Sequence, residues 1–148
     1  MLNSDKIVHI FTDGACKGNP GPGGWGAVLK YGDSSKEING FSQNTTNNIM
    51  ELTAVIKALQ LLKEDCHVII TTDSNYVKDG ITQWINNWKS NGWKTSNKKS
   101  VKNQGLWKEL DKLSSKHQLE WKWVRGHSGN PGNERADELA NEAIEQKC

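Results

Sequence analysis

Two short runs of mostly β-branched residues, each followed by Thr-Asp, constrain the fold of this chain most strongly. Residues 7–11 predict a buried strand, and the Asp13-Gly14 pair that follows predicts its end. Residues 67–72 predict a second strand, which closes on Asp73. If these strands are parallel neighbours, their carboxyl ends bring Asp13 and Asp73 to one edge of the sheet, where open α/β sheets place their ligands.

Three further strands are predicted from the pattern of apolar residues. Residues 25–31 and 37–41 are close enough to the first strand in the chain to form an antiparallel meander with it. Residues 119–124 alternate as a strand does. The glycine- and proline-rich stretch 17–24 predicts a tight connection that neither a helix nor a strand would tolerate.

Helices are predicted where apolar residues recur at helical spacing. The most regular begins near Asn48, which is placed to cap it, with Glu51 three residues later as in a capping box. A closing helix over 134–146 carries Asp137 near its first turn. The other helical segments are expected around 76–88 and 106–113.

Length and cysteine content restrict the class of protein. The 148 residues predict a single domain over 1–148, and a net charge of +2 is weak evidence for any partner. The three cysteines lack Cys-x-x-Cys spacing, so neither a disulfide framework nor a cysteine zinc site is expected, and a reducing cytoplasmic setting fits. The apolar run 7–11 is too short for a signal peptide or a membrane span.

Four carboxylates lie near the ends of predicted elements: Asp13, Glu51, Asp73 and Asp137. Taken singly, each has an ordinary role as a turn former, a helix cap or a solvated charge. If all four gathered about 6 Å apart at an effective dielectric near 20, each pair would repel by roughly 3 kcal/mol, so the cluster would need cations. Hard oxygen ligands suit Mg²⁺ or Mn²⁺, and a pair of such ions can clamp an in-line phosphoryl displacement.

Positive charge is concentrated between residues 80 and 108. Six lysines lie there without an Asp or Glu, close to Trp84 and Trp88, which are one helical turn apart. Aromatic pairs at this spacing are more often part of a core, and a lysine run is usually a solvated face. Together they also suit a track for nucleic-acid phosphates. The lysines are Lys89, Lys94, Lys98, Lys99, Lys102 and Lys108.

Several motifs, in order along the chain, resemble those of the bacterial type I ribonuclease H family from residue 7 to about residue 143. They are Phe-Thr-Asp-Gly at 11–14, Gly-Asn-Pro-Gly-Pro-Gly-Gly at 18–24, Thr-Thr-Asn-Asn-Ile-Met-Glu-Leu at 45–52, Thr-Thr-Asp-Ser at 71–74, and Gly-His-Ser-Gly followed by Asn-Glu-Arg-Ala-Asp-Glu-Leu-Ala. The resemblance implies an α/β ribonuclease H-like fold: a mixed five-stranded sheet, with a three-strand antiparallel meander plus two parallel strands, and helices on both faces.

The resemblance also implies an activity and a set of catalytic residues. The expected reaction is endonucleolytic cleavage of the RNA strand of an RNA/DNA hybrid, which leaves 5′-phosphate and 3′-hydroxyl ends. By resemblance, two Mg²⁺ ions, or Mn²⁺ in their place, are held by the four carboxylates, and Asp13 on the central strand bridges them. His127 would assist the attacking water or the departure of product.

Residues that read the hybrid are likewise implied by the resemblance. One set would follow the minor groove, where 2′-hydroxyls distinguish RNA from DNA: Cys16, Asn19, Asn47, Asn48 and Asn75. Thr46 would hold a DNA phosphate, and a second set would grip the DNA strand: Trp84, Asn87, Trp88, Lys89, Lys94, Lys98 and Lys99. Family members often have Gln at position 75 and a basic residue where Gln43 and Asn44 stand. The expected state is a monomer without a membrane partner.

Two other functions fit the same residues. In a non-catalytic module that binds hybrids, the carboxylates would only organise the fold, and Asp13→Asn would leave function intact. Another magnesium nuclease of the same fold, such as a transposase-like or junction-resolving enzyme, would cut other substrates. The asparagines and the lysine stretch favour the hybrid as substrate over this last possibility.

Overall fold

One five-stranded sheet organises the computed structural model, which describes residues 7–18, 20–94, 102–125 and 130–147. Its strands are β1 (Ile7–Cys16), β2 (Gly21–Tyr31), β3 (Ser34–Thr45), β4 (His67–Thr72) and β5 (Gln118–Trp123). They lie in the order β3-β2-β1-β4-β5, with β1 to β3 antiparallel and with β4 parallel to both β1 and β5. The predicted mixed sheet is confirmed, and β1 is its central strand.

Helices connect and cover the strands. They are α1 (Asn47–Gln60), α2 (Asn75–Asp79), α3 (Ile85–Asn91), α4 (Gln104–Lys116) and α5 (Pro131–Lys147). A π-helical turn over Gly80–Trp84 joins α2 to α3. The predicted helical region through Trp88 therefore consists of three short segments. Gly92 caps the carboxyl end of the last one, and its φ of 76° suits glycine.

The helices lie on both faces of the sheet, as predicted. Ile10 of β1 is fully buried in a core that includes Leu52 of α1 and Leu110 of α4. Its neighbour Phe11 points to the other face, where its ring lies against Gly132 of α5. Because successive side chains of a strand alternate between faces, α1 and α5 sandwich the central strand.

Glycines of β2 let α5 approach the sheet closely. A side chain at Gly24 or Gly26 would collide with the carbonyl oxygens of Ala140 and Ala136 in α5. The helix is also tied to β3 by Arg135, which forms a bidentate pair with Glu37 at 2.8 and 3.0 Å. This packing fixes the part of α5 that carries Asp137.

Two local sequence predictions about strands were wrong. β2 begins at Gly21, so residues 21–24 belong to a strand rather than to a tight connection. Proline is tolerated there because the β2–β3 ladder is irregular between Gly21 and Gly23, beside Pro22. β1 does not end at Asp13 but continues to Cys16, paired with Gly23 of β2.

The helix starts also differ from the sequence predictions. Thr46 caps α1, because its extended backbone places Oγ1 3.2 Å from the N–H of Ile49, which donates to it. The predicted cap, Asn48, is inside the helix. α5 begins at Pro131, which places Asp137 in the second turn rather than the first.

Two further features concern the cysteines and the lengths of the helices. Cys16 and Cys66 are free thiols. Over the described ranges, no helix has the length and apolar character needed to cross a membrane.

Candidate active site

Three carboxylates from separate parts of the chain meet at one edge of the sheet. Asp13 lies within β1, Glu51 lies in the second turn of α1, and Asp73 follows β4 directly. One oxygen of each carboxylate lies within 4.8 Å of the others. Carboxylate oxygens at this separation can share a divalent cation.

Asp137 of α5 borders the same group. It lies close enough to Asp13 to accept a hydrogen bond when Asp13 is protonated, and all four carboxylates line one cavity of about 470 Å³. Asn141 lies one helical turn further along α5, and its Nδ2 donates to Asp137 Oδ1 at 3.3 Å. Asp137 therefore contacts the group through Asp13 and is held in place by its own helix.

Gly14 controls how closely α1 approaches β1. A Cβ at this position would lie 2.6 Å from the backbone nitrogen of Glu51 and 2.7 Å from the carbonyl carbon of Met50. The N–H of Gly14 also donates to Asp13 Oδ1 at 3.0 Å. The sequence indicated Gly14 only as the end of a strand, whereas the structure shows that it brings two of the carboxylates together.

The carboxylates are strongly perturbed in the protein without cations. Burial raises the pKa of Asp13 to about 8, and a hydrogen bond that protonated Asp13 donates to Asp137 and repulsion by Asp73 act in the same direction. Burial, followed by repulsion from Asp13 and Asp73, raises the pKa of Glu51 well above its ordinary value. Each group would ionise more readily beside a positive charge.

The donor set fits a hard divalent cation. Glu51 is buried, and its Oε2 has no hydrogen-bond partner among the described residues. An orphaned carboxylate oxygen in a cluster of acids is costly unless a cation or a proton satisfies it. Oxygen donors alone favour Mg²⁺ or Mn²⁺ over metals that prefer sulfur or nitrogen.

Amide side chains line the same cavity as the acids. Asn47 and Asn48 come from the first turn of α1, and Asn75 begins α2 after Asp73. Tyr76 also lines the cavity, which sequence reasoning missed, although its position three residues after Asp73 was the available signal. The cavity thus combines acids with short donors and acceptors of hydrogen bonds.

Two other predicted substrate contacts lie where β1 and β3 end. The Sγ of Cys16 lies 3.4 Å from the carbonyl oxygen of Thr45 and 3.5 Å from that of Gly21. The hydroxyl oxygen of Thr46 accepts from the Ile49 N–H, which leaves its hydrogen to donate elsewhere.

The predicted aromatic pair belongs to a larger ring cluster. Trp84 packs at 5.8 Å from both Tyr76 and Trp88, and Trp88 also lies 5.5 Å from the buried Trp107. Trp84 and Trp88 are only half-buried, and Asn87 between them is exposed. The ring cluster therefore packs α3 against the core and leaves part of its own surface exposed to solvent.

The basic residues around this cluster are less uniform than the sequence indicated. Lys89 and Lys94 are both exposed, and Lys89 forms an ion pair with Asp111 at 3.2 Å. Four residues with predicted roles lie outside the described residues: Asn19, Lys98, Lys99 and His127.

Comparison with known proteins places these features in a family. A ribonuclease H family model matches residues 5–145. The chain is 60% identical over 141 residues to a ribonuclease H from Alcanivorax borkumensis, covering 95% of this chain and 93% of the relative. It is 62% identical over 144 residues to a ribonuclease H from Francisella philomiragia, covering 97% and 95%.

Solved structures share the fold. The crystal structure of LC9-RNase H1, a type 1 RNase H with the type 2 active-site motif, matches with a TM-score of 0.86 at 34% identity, over 97% of this chain and 74% of that one. LC11-RNase H1, solved in complex with an RNA/DNA hybrid, matches with a TM-score of 0.74 at 26% identity, over 95% and 98%. Because the family match spans the whole sheet and all four carboxylates, the chain belongs to the ribonuclease H family.

Proposed function

We propose that this protein is an endonuclease that hydrolyses the RNA strand of RNA/DNA hybrids and leaves 5′-phosphate and 3′-hydroxyl ends. The observation that carries the proposal is the convergence of Asp13, Glu51 and Asp73, with oxygens within 4.8 Å of one another, in an amide-lined cavity. Membership of the ribonuclease H family supports the reaction, and the hybrid bound to LC11-RNase H1 supports the substrate.

The four carboxylates would hold two Mg²⁺ ions, with Mn²⁺ as a substitute. Bound there, such ions lower the pKa of the attacking water and stabilise charge on the leaving 3′ oxygen. Asp13 on the central strand interacts with both Asp73 and Asp137 and would contribute to holding both ions, which its position near Glu51 and Asp73 supports. Glu51 would contribute the buried Oε2 that lacks a hydrogen-bond partner among the described residues.

The protein's own contribution is to assemble the acids before substrate arrives. Burial raises the pKa of both Asp13 and Glu51, so in the metal-free state these carboxyls keep their protons to a higher pH than ordinary carboxyls do. Binding of cations then requires the loss of these protons, which makes metal affinity dependent on pH. Rigid elements would orient the scissile phosphate, because each acid lies in a strand, directly after a strand or in a helix packed on the sheet.

Recognition of the hybrid is assigned to the polar residues around the cavity. Asn47, Asn48 and Asn75 can each donate to and accept from a 2′-hydroxyl in a shallow minor groove. Thr46 would donate its hydroxyl hydrogen to a DNA phosphate. Cys16 and Asn19 would extend the contact along the groove, and His127 would assist the attacking water or product release.

The DNA strand would lie across the exposed side of the aromatic cluster. Trp84 and Trp88 offer ring surface, and the exposed Asn87 lies between them. The lysines assigned to this grip are Lys89, Lys94, Lys98 and Lys99. Because phosphate contacts release counterions, binding of the hybrid should weaken steeply as salt rises. Action as a cytoplasmic monomer remains a prediction.

A panel of substrates tests the proposal directly. Labelled hybrid, duplex DNA and duplex RNA are incubated with the protein in Mg²⁺ or in excess EDTA, and the ends of the products are identified. We expect cleavage of the RNA strand of the hybrid only, and none in EDTA. Asp13→Asn and Asp73→Asn should each lower kcat at least about 100-fold, the scale of removing one electrostatic contact to the transition state.

Asp33→Asn is the matched control, because Asp33 is exposed in the turn between β2 and β3. Its activity should equal that of the wild type. Cleavage that persists in EDTA, or full activity in Asp13→Asn, would refute the metal-dependent mechanism. Hybrid binding without cleavage would identify a binding module instead, and equal cutting of duplex DNA would indicate a different nuclease of this fold.

A further inference from the structure

A second cavity opens directly beside the carboxylate cavity. It measures about 340 Å³ and shares Asp73, Ser74 and Asn75 with the first. Its remaining wall includes Lys78 of α2 and Arg125, which follows β5. A polymer bound at Asp73 could therefore continue into this cavity without leaving the surface.

The secondary structure around Asp73 fixes the backbone at the two basic residues. Ser74 caps α2 by accepting from the Val77 N–H at 3.1 Å, and Lys78 comes next in that helix. The N–H of Val124 donates to the Thr72 carbonyl at 3.1 Å, which extends the β4–β5 pairing towards Arg125. Lys78 and Arg125 thus lie in segments that also hold Asp73 in place.

Lys78 and Arg125 differ from the basic residues that the fold uses for its own stability. Arg135, for example, forms ion pairs with Glu37, Glu138 and Glu142. Lys78 and Arg125 are exposed, and neither side chain forms an ion pair or a hydrogen bond with the described residues. Trp123, a half-buried ring, forms part of the wall beside them. Their charges are therefore available to a ligand.

We propose that Lys78 and Arg125 form a phosphate subsite for the cleaved RNA strand, next to the reacting phosphate. This inference rests on the proposed function, because it takes the substrate to be a strand whose reacting phosphate lies over the carboxylates. A neighbouring phosphate then enters the cavity that shares Asp73. The lysine stretch near Trp88, which is assigned to the DNA strand, is a different part of the surface.

Charge explains why such a subsite is needed. A phosphate close to Asp73 is repelled by that carboxylate, and opposite charges beside it offset the repulsion. The planar guanidinium of Arg125 can donate two parallel hydrogen bonds to one phosphate, whereas Lys78 supplies a point charge. The pair would hold the strand in register with the carboxylates and contribute to binding rather than to the chemical step.

The test compares Arg125→Ala, Lys78→Ala and the double variant with Lys122→Ala. Lys122 is exposed on the face of β5 opposite Trp123, so its removal changes net charge equally without altering the cavity. We expect each single variant to raise KM for the hybrid about 3- to 10-fold with kcat within about 2-fold. The slope of log KM against log salt should also fall by about one for each cation removed.

Single neutral linkages locate the contact on the substrate. In one series of hybrids, a single 2′-O-methyl nucleotide with a neutral methylphosphonate linkage is placed at successive positions of the RNA strand. In a second series, a neutral linkage is placed at successive positions of the DNA strand. The control for the RNA series carries the same 2′-O-methyl nucleotide with an ordinary phosphate. We expect one position on the RNA strand, near the cleavage site, where neutralisation raises KM for the wild type but not for the double variant. A sensitive position on the DNA strand, or none, would overturn the proposal.

The remaining outcomes are also decisive. If the two cations only balanced the carboxylates, their removal would change the Mg²⁺ concentration for half-maximal activity and leave KM unchanged, which would overturn the subsite. If the wild type cleaves the hybrid but the two single variants and the double variant all match Lys122→Ala, the subsite fails and the proposed function stands. If the wild type leaves the hybrid intact, the proposed function fails and the subsite falls with it.

Discussion

Asp13 of β1 and Asp73, which directly follows the parallel neighbour β4, lie at equivalent positions, two residues beyond Phe11 and Thr71, the last pair of the ladder. The register of β1 against β4 thus sets the separation of their carboxylates. A slip of one residue would turn one of the two side chains to the opposite face of the sheet. The metal-binding geometry is therefore a consequence of strand register, and the core side chains that fix the register also support the site.

Removing one charge from the carboxylate group should stabilise the metal-free protein. At pH 8 in EDTA, we expect Asp13→Asn to raise the free energy of unfolding by about 1–3 kcal/mol. The substitution removes a charge that is costly because it is buried and because acids within 4.8 Å repel it. Urea unfolding of both proteins measures the difference. Asp33→Asn, on the exposed turn, should stay within about 0.5 kcal/mol of the wild type. Destabilisation by Asp13→Asn would contradict the electrostatic account.

The stabilising effect of Asp13→Asn should depend on pH. The pKa of Asp13 is raised from 3.8 to about 8, so between these values the folded state holds a proton that the unfolded state has released. Stability from this group is therefore full below 3.8 and is lost as pH rises towards 8. We expect the advantage of the variant in EDTA to grow from pH 5 to pH 8, measured by thermal unfolding. An advantage that is constant with pH would show that Asp13 does not titrate in this range.

Gly14→Ala should separate Glu51 from Asp13. The new Cβ would lie 2.6 Å from the Glu51 backbone nitrogen, so α1 must shift away from β1. We expect a loss of about 1–3 kcal/mol in stability and a large fall in activity. Gly105→Ala is the control, because no atom lies within 4 Å of its Cβ position. Since Gly105 is inside α4, alanine there should stabilise the protein by up to about 1 kcal/mol and leave activity unchanged.

His117 should make the protein less stable at mildly acidic pH. Its Nδ1 accepts a hydrogen bond from the Cys66 N–H at 3.0 Å, which requires an unprotonated nitrogen. Burial, with added repulsion from Lys116, lowers the pKa of His117 below 6.5. Its contribution is therefore full above 6.5 and is lost as pH falls through the folded-state pKa.

His117→Asn distinguishes this histidine from other titrating groups. The Asn side-chain oxygen can accept the same hydrogen bond and does not titrate. The variant should lose less stability than the wild type between pH 7 and pH 5, as measured by urea unfolding in Mg²⁺. Parallel curves for the two proteins would mean that His117 is not the cause.

Elements whose signal lies within a short stretch could be predicted from the sequence. The apolar runs ending in Thr12-Asp13 and Thr72-Asp73 indicated two parallel strands, and the structure contains them. The cap of α1 was assigned to Asn48 instead of Thr46 because both residue types cap helices well. The choice depends on where β3 ends, and its last residue is Thr45.

The prediction of a tight connection over residues 17–24 was wrong for a different reason. Residues 21–24 have the composition of a turn, but Gly24 belongs to a strand because α5 lies directly on it. No local pattern records the approach of a helix more than a hundred residues later in the chain. Tertiary contact therefore overrode local propensity.

The sequence alone determined the succession of strands and helices along the chain, the identity of the four acids and the family motifs, because each of these depends only on neighbouring residues. Only the tertiary structure decided that Asp13, Glu51 and Asp73 lie within 4.8 Å and that Lys78 and Arg125 border the next cavity. Distances between residues far apart in the chain are set by strand register and by the packing of helices on the sheet. Those quantities depend on all the core side chains together rather than on any one segment.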